Sequence, residues 1–165
     1  TLHRRIRSET ERSGIAVRHC TDMLEPDDLY TDMKEDMERA GRRIMAKLEH
    51  SITVTGEEYL SELKPRTRID LFLFFKESLV NISRHSGATK FQSHLIADKK
   101  RVQLTISDNG KGLEAANGLL PKSLKRRAKL LHAKVEVETP ESGGTRIKLV
   151  LSTRRWKILA KDIHE

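Results

Sequence analysis

Near residue 90 the sequence switches from mainly helical to mainly alternating apolar spacing, and that switch restricts the fold more than any other feature. Before it, apolar residues recur at helical spacing. Leu29, Met33, Met37, Ala40, Ile44 and Leu48 stand 4, 4, 3, 4 and 4 residues apart, one face of a helix of about five turns. Ahead of it, Glu25-Pro26-Asp27-Asp28 stops a preceding charged helix over 1–24 and offers Asp27 or Asp28 as an N-cap. Residues 51–54 form a β-branched run that predicts a short strand. Lys64-Pro65 opens the next helix, with proline suited to the first helical position. Leu71, Phe72, Phe74, Phe75, Leu79 and Ile82 carry it to about His85 and make it apolar on more than one side. Such a helix belongs at the centre of a core.

After the switch, Val102, Leu104 and Ile106 alternate strictly. Residues 91–97 and 101–107 read as a hairpin joined by Asp98-Lys99-Lys100. A basic helix with Leu124, Ala128 and Leu131 follows, then strands over 134–138 and 145–151 around Pro140-Glu141-Ser142-Gly143-Gly144. Helices first and hairpins later predict an α+β domain, a sheet covered by helices on one face.

Composition narrows the function classes. Four Phe, two Tyr and one Trp supply few platforms for stacking single-stranded bases. The single Cys20 cannot form an internal disulfide, which favours a reducing compartment. No apolar run is long enough to span a bilayer. Because Thr1 opens the chain, a longer protein is expected, with any membrane segment outside this stretch. The net charge of +8 fits solubility, an anionic ligand, an acidic protein surface or nucleic acid. The basic residues are spread, with modest clusters at 122–129 and 154–161, and form no dense arm of the kind that binds nucleic acid.

Three groups of residues carry chemistry. Glu77, Asn81 and His85 stand at i, i+4 and i+8 on the central helix, nearly along one face. A carboxylate, an amide and an imidazole beside phenylalanines form either a solvated edge or a site. Asp108-Asn109-Gly110-Lys111-Gly112 directly follows an alternating strand. Its aspartate can accept a hydrogen bond from an exocyclic amine and its glycines admit a ligand close to the backbone, although ordinary turns also favour these residues. Ser142-Gly143-Gly144-Thr145 leads into the last strand and alone is only a hairpin signal.

In this order the three groups resemble the Bergerat, or GHKL, ATP-binding fold shared by histidine kinases, Hsp90, type II topoisomerases and MutL. The segment Lys76-Glu77-Ser78-Leu79-Val80-Asn81-Ile82-Ser83-Arg84-His85-Ser86-Gly87-Ala88 is similar in wording to the corresponding box of bacterial sensor histidine kinases of the NarX/DesK-like group. The resemblance covers roughly residues 27 to 152. It implies a mixed, largely antiparallel sheet and three parts: the end of a dimerisation helix over 1–25, a catalytic domain over 26–153 and a basic tail over 154–165.

The resemblance also implies roles. Asn81 would hold the Mg²⁺ that bridges the ATP phosphates, and Glu77 would be the general base or water-orienting group. Arg84 and His85 would approach the phosphates. Asp108 would bind the adenine amine, Gly110 and Gly112 would line the pocket, Gly118 would belong to the ATP lid, and Gly144-Thr145 would close on adenine through water. The activity implied is that of a protein histidine kinase, with ATP and Mg²⁺ as cofactors, a response regulator as partner, a homodimer in the full-length protein and a cytoplasmic location. No nucleic-acid partner is expected. The alternatives are an anti-sigma serine kinase of the same fold, or a nucleotide-binding scaffold without turnover.

Two features depart from the family pattern. The lid box of the family reads like GxGLxxMxxRA. Aligning on Arg127-Ala128 sets Leu120-Pro121 where Gly-Leu stands, whereas aligning on Gly118-Leu119 requires two extra residues. Either way one glycine is missing and Pro121 stiffens the segment. Lys122, Lys125 and Arg126 are candidates to contact phosphates, or else form a solvated helix face. The phosphoacceptor motif is also missing: neither His3 nor His19 has the required acidic neighbour, so that histidine is expected upstream or on another chain.

Overall fold

Asp32 caps the first described helix because its carboxylate does what a first helical turn needs. Asp32 Oδ1 accepts from Lys34 N at 2.9 Å and from Glu35 N at 3.4 Å, and Glu35 and Asp36 complement the helix dipole of that turn. The computed structural model describes residues 32–111 and 120–153, all within the unit that starts at Asp32. Helix α1 is therefore Met33–Ile44, shorter than the period from Leu29 to Leu48 predicts. The caps expected at Asp27 or Asp28 lie outside the described residues, as do the N-terminal helix with His3 and His19, and the basic tail. At its other end Met45 N donates back to Gly41 O and Leu48 N to Met45 O, so the chain turns before Leu48 to enter the sheet. Met37, Ala40 and Gly41 are buried. Gly41 permits close packing, since a methyl there would overlap Ile52 Cδ1.

Strand β1 is Glu49–Thr55. A short helix α2, Glu57–Ser61, which no periodicity announced, leads to α3, Pro65–Asn81. Helix α3 has proline in its first turn, and Leu71, Phe74, Phe75 and Leu79 are all at 0–1% exposure. It is the central helix expected from its apolar character, with α1 and α4 packed on it. Its continuation, Ile82–Ser86, is a wider π-helical turn that ends on Gly87 at φ 64, as wide turns often do at functional positions.

Strands β2 (Lys90–Ala97) and β3 (Arg101–Asp108) form the expected hairpin. Asp98 Oδ1 closes its turn by accepting from Lys100 N and Arg101 N, and those two bonds hold its pKa below the ordinary aspartate value. Helix α4 is Lys122–Leu130, β4 Lys134–Glu138 and β5 Thr145–Ser152. The sheet order is β1-β2-β3-β5-β4. β1 runs parallel to β2 and every other neighbouring pair is antiparallel. The parallel pair needs a crossover, and α2 with α3 supplies it.

Alternation decides which face is covered. Phe91, Leu95, Val102, Leu104, Ile106, Ile147, Leu149 and Leu151 are buried, while their neighbours Lys90, Gln92, His94, Arg101 and Arg146 are exposed. One face of the sheet thus carries the core and the other faces water, as period-2 patterning requires. Among the described residues no helix is long and apolar enough to cross a membrane.

Candidate functional site

The three polar groups of the sequence lead to one end of the sheet. Asp108 is the last residue of β3, Thr145 the first of β5, and the two are register partners. The adjoining turn is fitted tightly against them. Gly144 lies at φ 84, and a methyl there would overlap the Asp108 carbonyl oxygen and stand 2.9 Å from Asn109 Cα. Only glycine meets both demands. Gly110 has a different restriction: a methyl on it would overlap Ser86 O and approach Ser86 Cβ to 2.6 Å. Lys111 N donates to Ser86 O at 2.8 Å, which joins this loop to the end of the π-turn.

Asn109 ties the same loop to the start of β2. Its Oδ1 accepts from Thr89 N and Lys90 N, both at 2.9 Å, and its Nδ2 donates to Thr89 Oγ1 at 2.9 Å. Ser86 Oγ donates to Ile82 O at 2.7 Å and accepts from Ala88 N at 3.0 Å. Asn109 and Ser86 are therefore structural members of the site that motif spacing did not single out. Their signal was local: each is a short polar residue inside a turn beside a box residue.

Asp108 is half-buried at the junction. Its Oδ1 accepts from Gly110 N at 2.8 Å. Burial nevertheless raises its carboxyl pKa above the ordinary value, against the opposing effect of that bond. A desolvated carboxylate with one oxygen occupied by the backbone has its other oxygen for a ligand donor. Thr145, at 6% exposure, is buried beside it.

On α3, Asn81 is half-buried and its Nδ2 is sealed from solvent without a hydrogen-bond partner among the described residues. Such an amide is costly unless something binds it. It can turn its nitrogen to a phosphate oxygen or its oxygen to a hard cation carried by phosphates, so the residue fits Mg²⁺. Arg84 and His85 are exposed on the π-turn.

Glu77 is engaged from α4. Arg127 Nε donates to Glu77 Oε2 at 2.9 Å, and Arg127 Nη1 lies 4.0 Å from Asp70 Oδ1. Arg127 marked one alignment of the lid box in the sequence, but its ionic partners, 50 residues or more away, were not foreseen. Lys122, Lys125 and Arg126 are exposed on the same helix. Gly112 and Gly118 lie outside the described residues.

Comparison with known proteins points the same way. No family model matches the chain. The chain is 27% identical over 105 residues to the sensor histidine kinase MctS of Rhizobium johnstonii, which takes in 59% of this chain and 22% of that protein. It is 24% identical over 122 residues to the sensor histidine kinase YdfH of Bacillus subtilis, or 66% of this chain and 30% of the relative. The matched stretch is thus under a third of each curated relative. Among solved structures, the ATP-binding domain of PrrB from Mycobacterium tuberculosis aligns over 74% of this chain and 94% of its own, with a TM-score of 0.54 and 22% identity. The histidine kinase domain of the Escherichia coli osmosensor EnvZ aligns over 74% and 86%, with a TM-score of 0.53 and 14% identity. The fold is that of histidine kinase ATP-binding domains, and the sequence relatives are sensor histidine kinases.

Proposed function

We propose that this chain is the ATP-binding catalytic part of a two-component sensor histidine kinase. The observation that carries the reading is the junction at Asp108. Gly144 packs on its carbonyl, Gly110 on Ser86, Thr145 stands beside it in the ladder, and the helix leading to Ser86 carries an amide with no partner among the described residues. Three sequence-distant groups are fitted together there with a tolerance that excludes a single methyl.

In this reading Asp108 accepts a hydrogen bond from the adenine amine, and its desolvation strengthens that bond. Gly110 and Gly144 keep the adenine end of the site free of side chains, and Thr145 makes a water-mediated contact. Mg²⁺, when bound through Asn81, offsets the charge of the phosphates. Glu77 accepts the proton of the attacking nucleophile or orients it. Arg84, His85 and the basic face of α4 at Lys122, Lys125 and Arg126 add positive charge where the triphosphate lies. Phosphoryl transfer asks for this kind of positioning and charge neutralisation more than for covalent help. The acceptor is a histidine of the longer protein, a dimer in the cytoplasm, and a response regulator receives the phosphoryl group from it.

Calorimetry of this chain with ATP and Mg²⁺ tests the nucleotide site. Binding is expected to be lost in Asp108→Ala and weaker for GTP, which has no exocyclic amine at the corresponding carbon. Absence of ATP binding, or equal binding by Asp108→Ala, refutes the site. Autophosphorylation of the longer protein, with Asn81→Ala as an inactive control, tests turnover.

A further inference from the structure

We infer that Arg127 is a positioning residue for Glu77, a clamp that fixes the carboxylate for phosphoryl transfer; this deepens the proposed kinase reading and rests on it. Asp70 and Glu77 are seven residues apart on α3, two helical turns, and so share a face. One guanidinium from α4 spans them. Its Nε binds Glu77 Oε2 at 2.9 Å, while Nη1 is 4.0 Å from Asp70 Oδ1. The three side chains are 25%, 16% and 6% exposed for Arg127, Glu77 and Asp70.

This burial sets the arrangement apart from a surface ion pair. Asp70 is also approached by Arg66 at 3.4 Å, but the Arg66 side chain is 78% exposed and long exposed side chains hold a geometry poorly. Asp70 and Arg127 are the sheltered pair. Asp70 serves as the anchor, the planar guanidinium transmits its orientation, and Glu77 receives it through a charge-assisted hydrogen bond. Arg127 occupies Oε2 and, among the described residues, leaves Oε1 for the reacting group.

The clamp is held by packing. Leu124, Ala128 and Leu131 are buried at 1%, 5% and 1% exposure, so α4 presents Arg127 from a fixed base. A partly buried charge cluster is weak evidence of a stabilising role, since apolar residues of similar size often serve stability as well. The 2.9 Å bond from Arg127 does hold the Glu77 carboxylate in one orientation.

The test compares autophosphorylation kinetics of the longer protein with ATP binding by this chain, and checks each variant for folding by urea denaturation. Arg127→Ala is expected to lower kcat by about 10–100-fold, the scale of an angstrom-level misplacement of a catalytic group, and to leave the KM for ATP nearly unchanged. Arg127→Lys, which keeps the charge without the fork, recovers part of the rate. Asp70→Asn, remote from the phosphates, lowers kcat in the same direction. In a Glu77→Gln background, Arg127→Ala has no further effect on kcat, because it acts through Glu77 alone.

Two results overturn the clamp by itself. One is a raised KM and calorimetric Kd for ATP in Arg127→Ala with kcat kept, which makes Arg127 a phosphate ligand. The other is an undiminished loss of kcat in the Glu77→Gln background. If Glu77→Gln turns over at the wild-type rate, the role of Glu77 falls and the clamp falls with it, while nucleotide binding through Asp108 stands. If the unaltered chain binds no ATP, the kinase reading and the clamp are both refuted.

Discussion

Replacing Gly144 by alanine is the most searching single change, because Gly143 beside it serves as an internal control. Both glycines are in the left-handed region, at φ 89 for Gly143 and φ 84 for Gly144. An alanine at either position incurs about 1–2 kcal/mol from that conformation. They differ in what a methyl meets. At Gly143 nothing lies within 4 Å, while at Gly144 the methyl overlaps the Asp108 carbonyl oxygen and stands 2.9 Å from Asn109 Cα. Carbon atoms pack at about 3.5–4.0 Å, so even this second contact is short by about 0.6 Å or more, and the partners are backbone that cannot rotate away.

Relief must come from opening the Asp108–Thr145 end of the ladder, which holds the proposed adenine contact. Gly143→Ala is therefore expected to lose about 1–2 kcal/mol of stability and keep its ATP affinity. Gly144→Ala is expected to lose about 3 kcal/mol or more, as a conformational and a steric defect combine, and to bind ATP at least about tenfold more weakly, equivalent to about 1.4 kcal/mol. Urea denaturation and calorimetry on the same preparations provide both numbers. Equal losses in the two variants would show that the fit of the turn against Asp108 is not what demands glycine, and would remove the junction as the basis of the nucleotide site.

Three further outcomes follow from the same structure. Because burial raises the Asp108 pKa and the adenine amine needs the carboxylate as acceptor, ATP affinity should weaken as pH falls toward that raised value, earlier than for an ordinary aspartate. Calorimetry from neutral to mildly acidic pH checks this against Asp108→Asn, whose residual binding should lack that component; parallel profiles would remove Asp108 from the account. Phe74→Ala, at a side chain with 0% exposure in the central helix, should cost about 3–5 kcal/mol, read from the urea midpoint, and a loss under about 1 kcal/mol would contradict the central placement of α3. Asp32→Ala removes the cap of α1 and should cost about 0.5–2 kcal/mol in the same assay, whereas no change would return the start of that helix to an earlier aspartate.

What the sequence made legible follows from where local chemistry is decisive. β2, β3 and β5 could be read because one face is buried and the other wet, so residues such as Val102, Leu104 and Ile106 carry the period without help from distant parts of the chain. The ends of α1 could not, since several aspartates precede it and a period that continues through Leu29 and Leu48 does not say where hydrogen bonding stops. Asp32 is selected by the two amides it caps. Helix α2 is five residues long, too short for any period, and the π-turn after Asn81 is defined by its backbone bonding rather than by a residue type.

The site divides along the same line. Glu77, Asn81, Asp108, Gly110, Gly144 and Thr145 could be proposed from sequence because each sits in a compact box whose spacing is local. Asn109 and Ser86 stood inside those boxes unnoticed, because what they do is bind backbone across the gap between boxes. Arg127 was least legible, as one of 32 lysines and arginines in a chain whose charge has several ordinary explanations. Its importance depends on α4 packing against α3, a contact that no window of sequence contains. The lid box departs from the GHKL pattern it resembles in glycine and keeps Arg127-Ala128. In the fold these are the residues that reach back to Glu77 and bury against the core. The missing glycine falls ahead of α4, whereas the connection from α4 to the proposed catalytic carboxylate is intact. Turnover in this protein should accordingly depend more on the Arg127–Glu77 contact than on the glycine count of its lid.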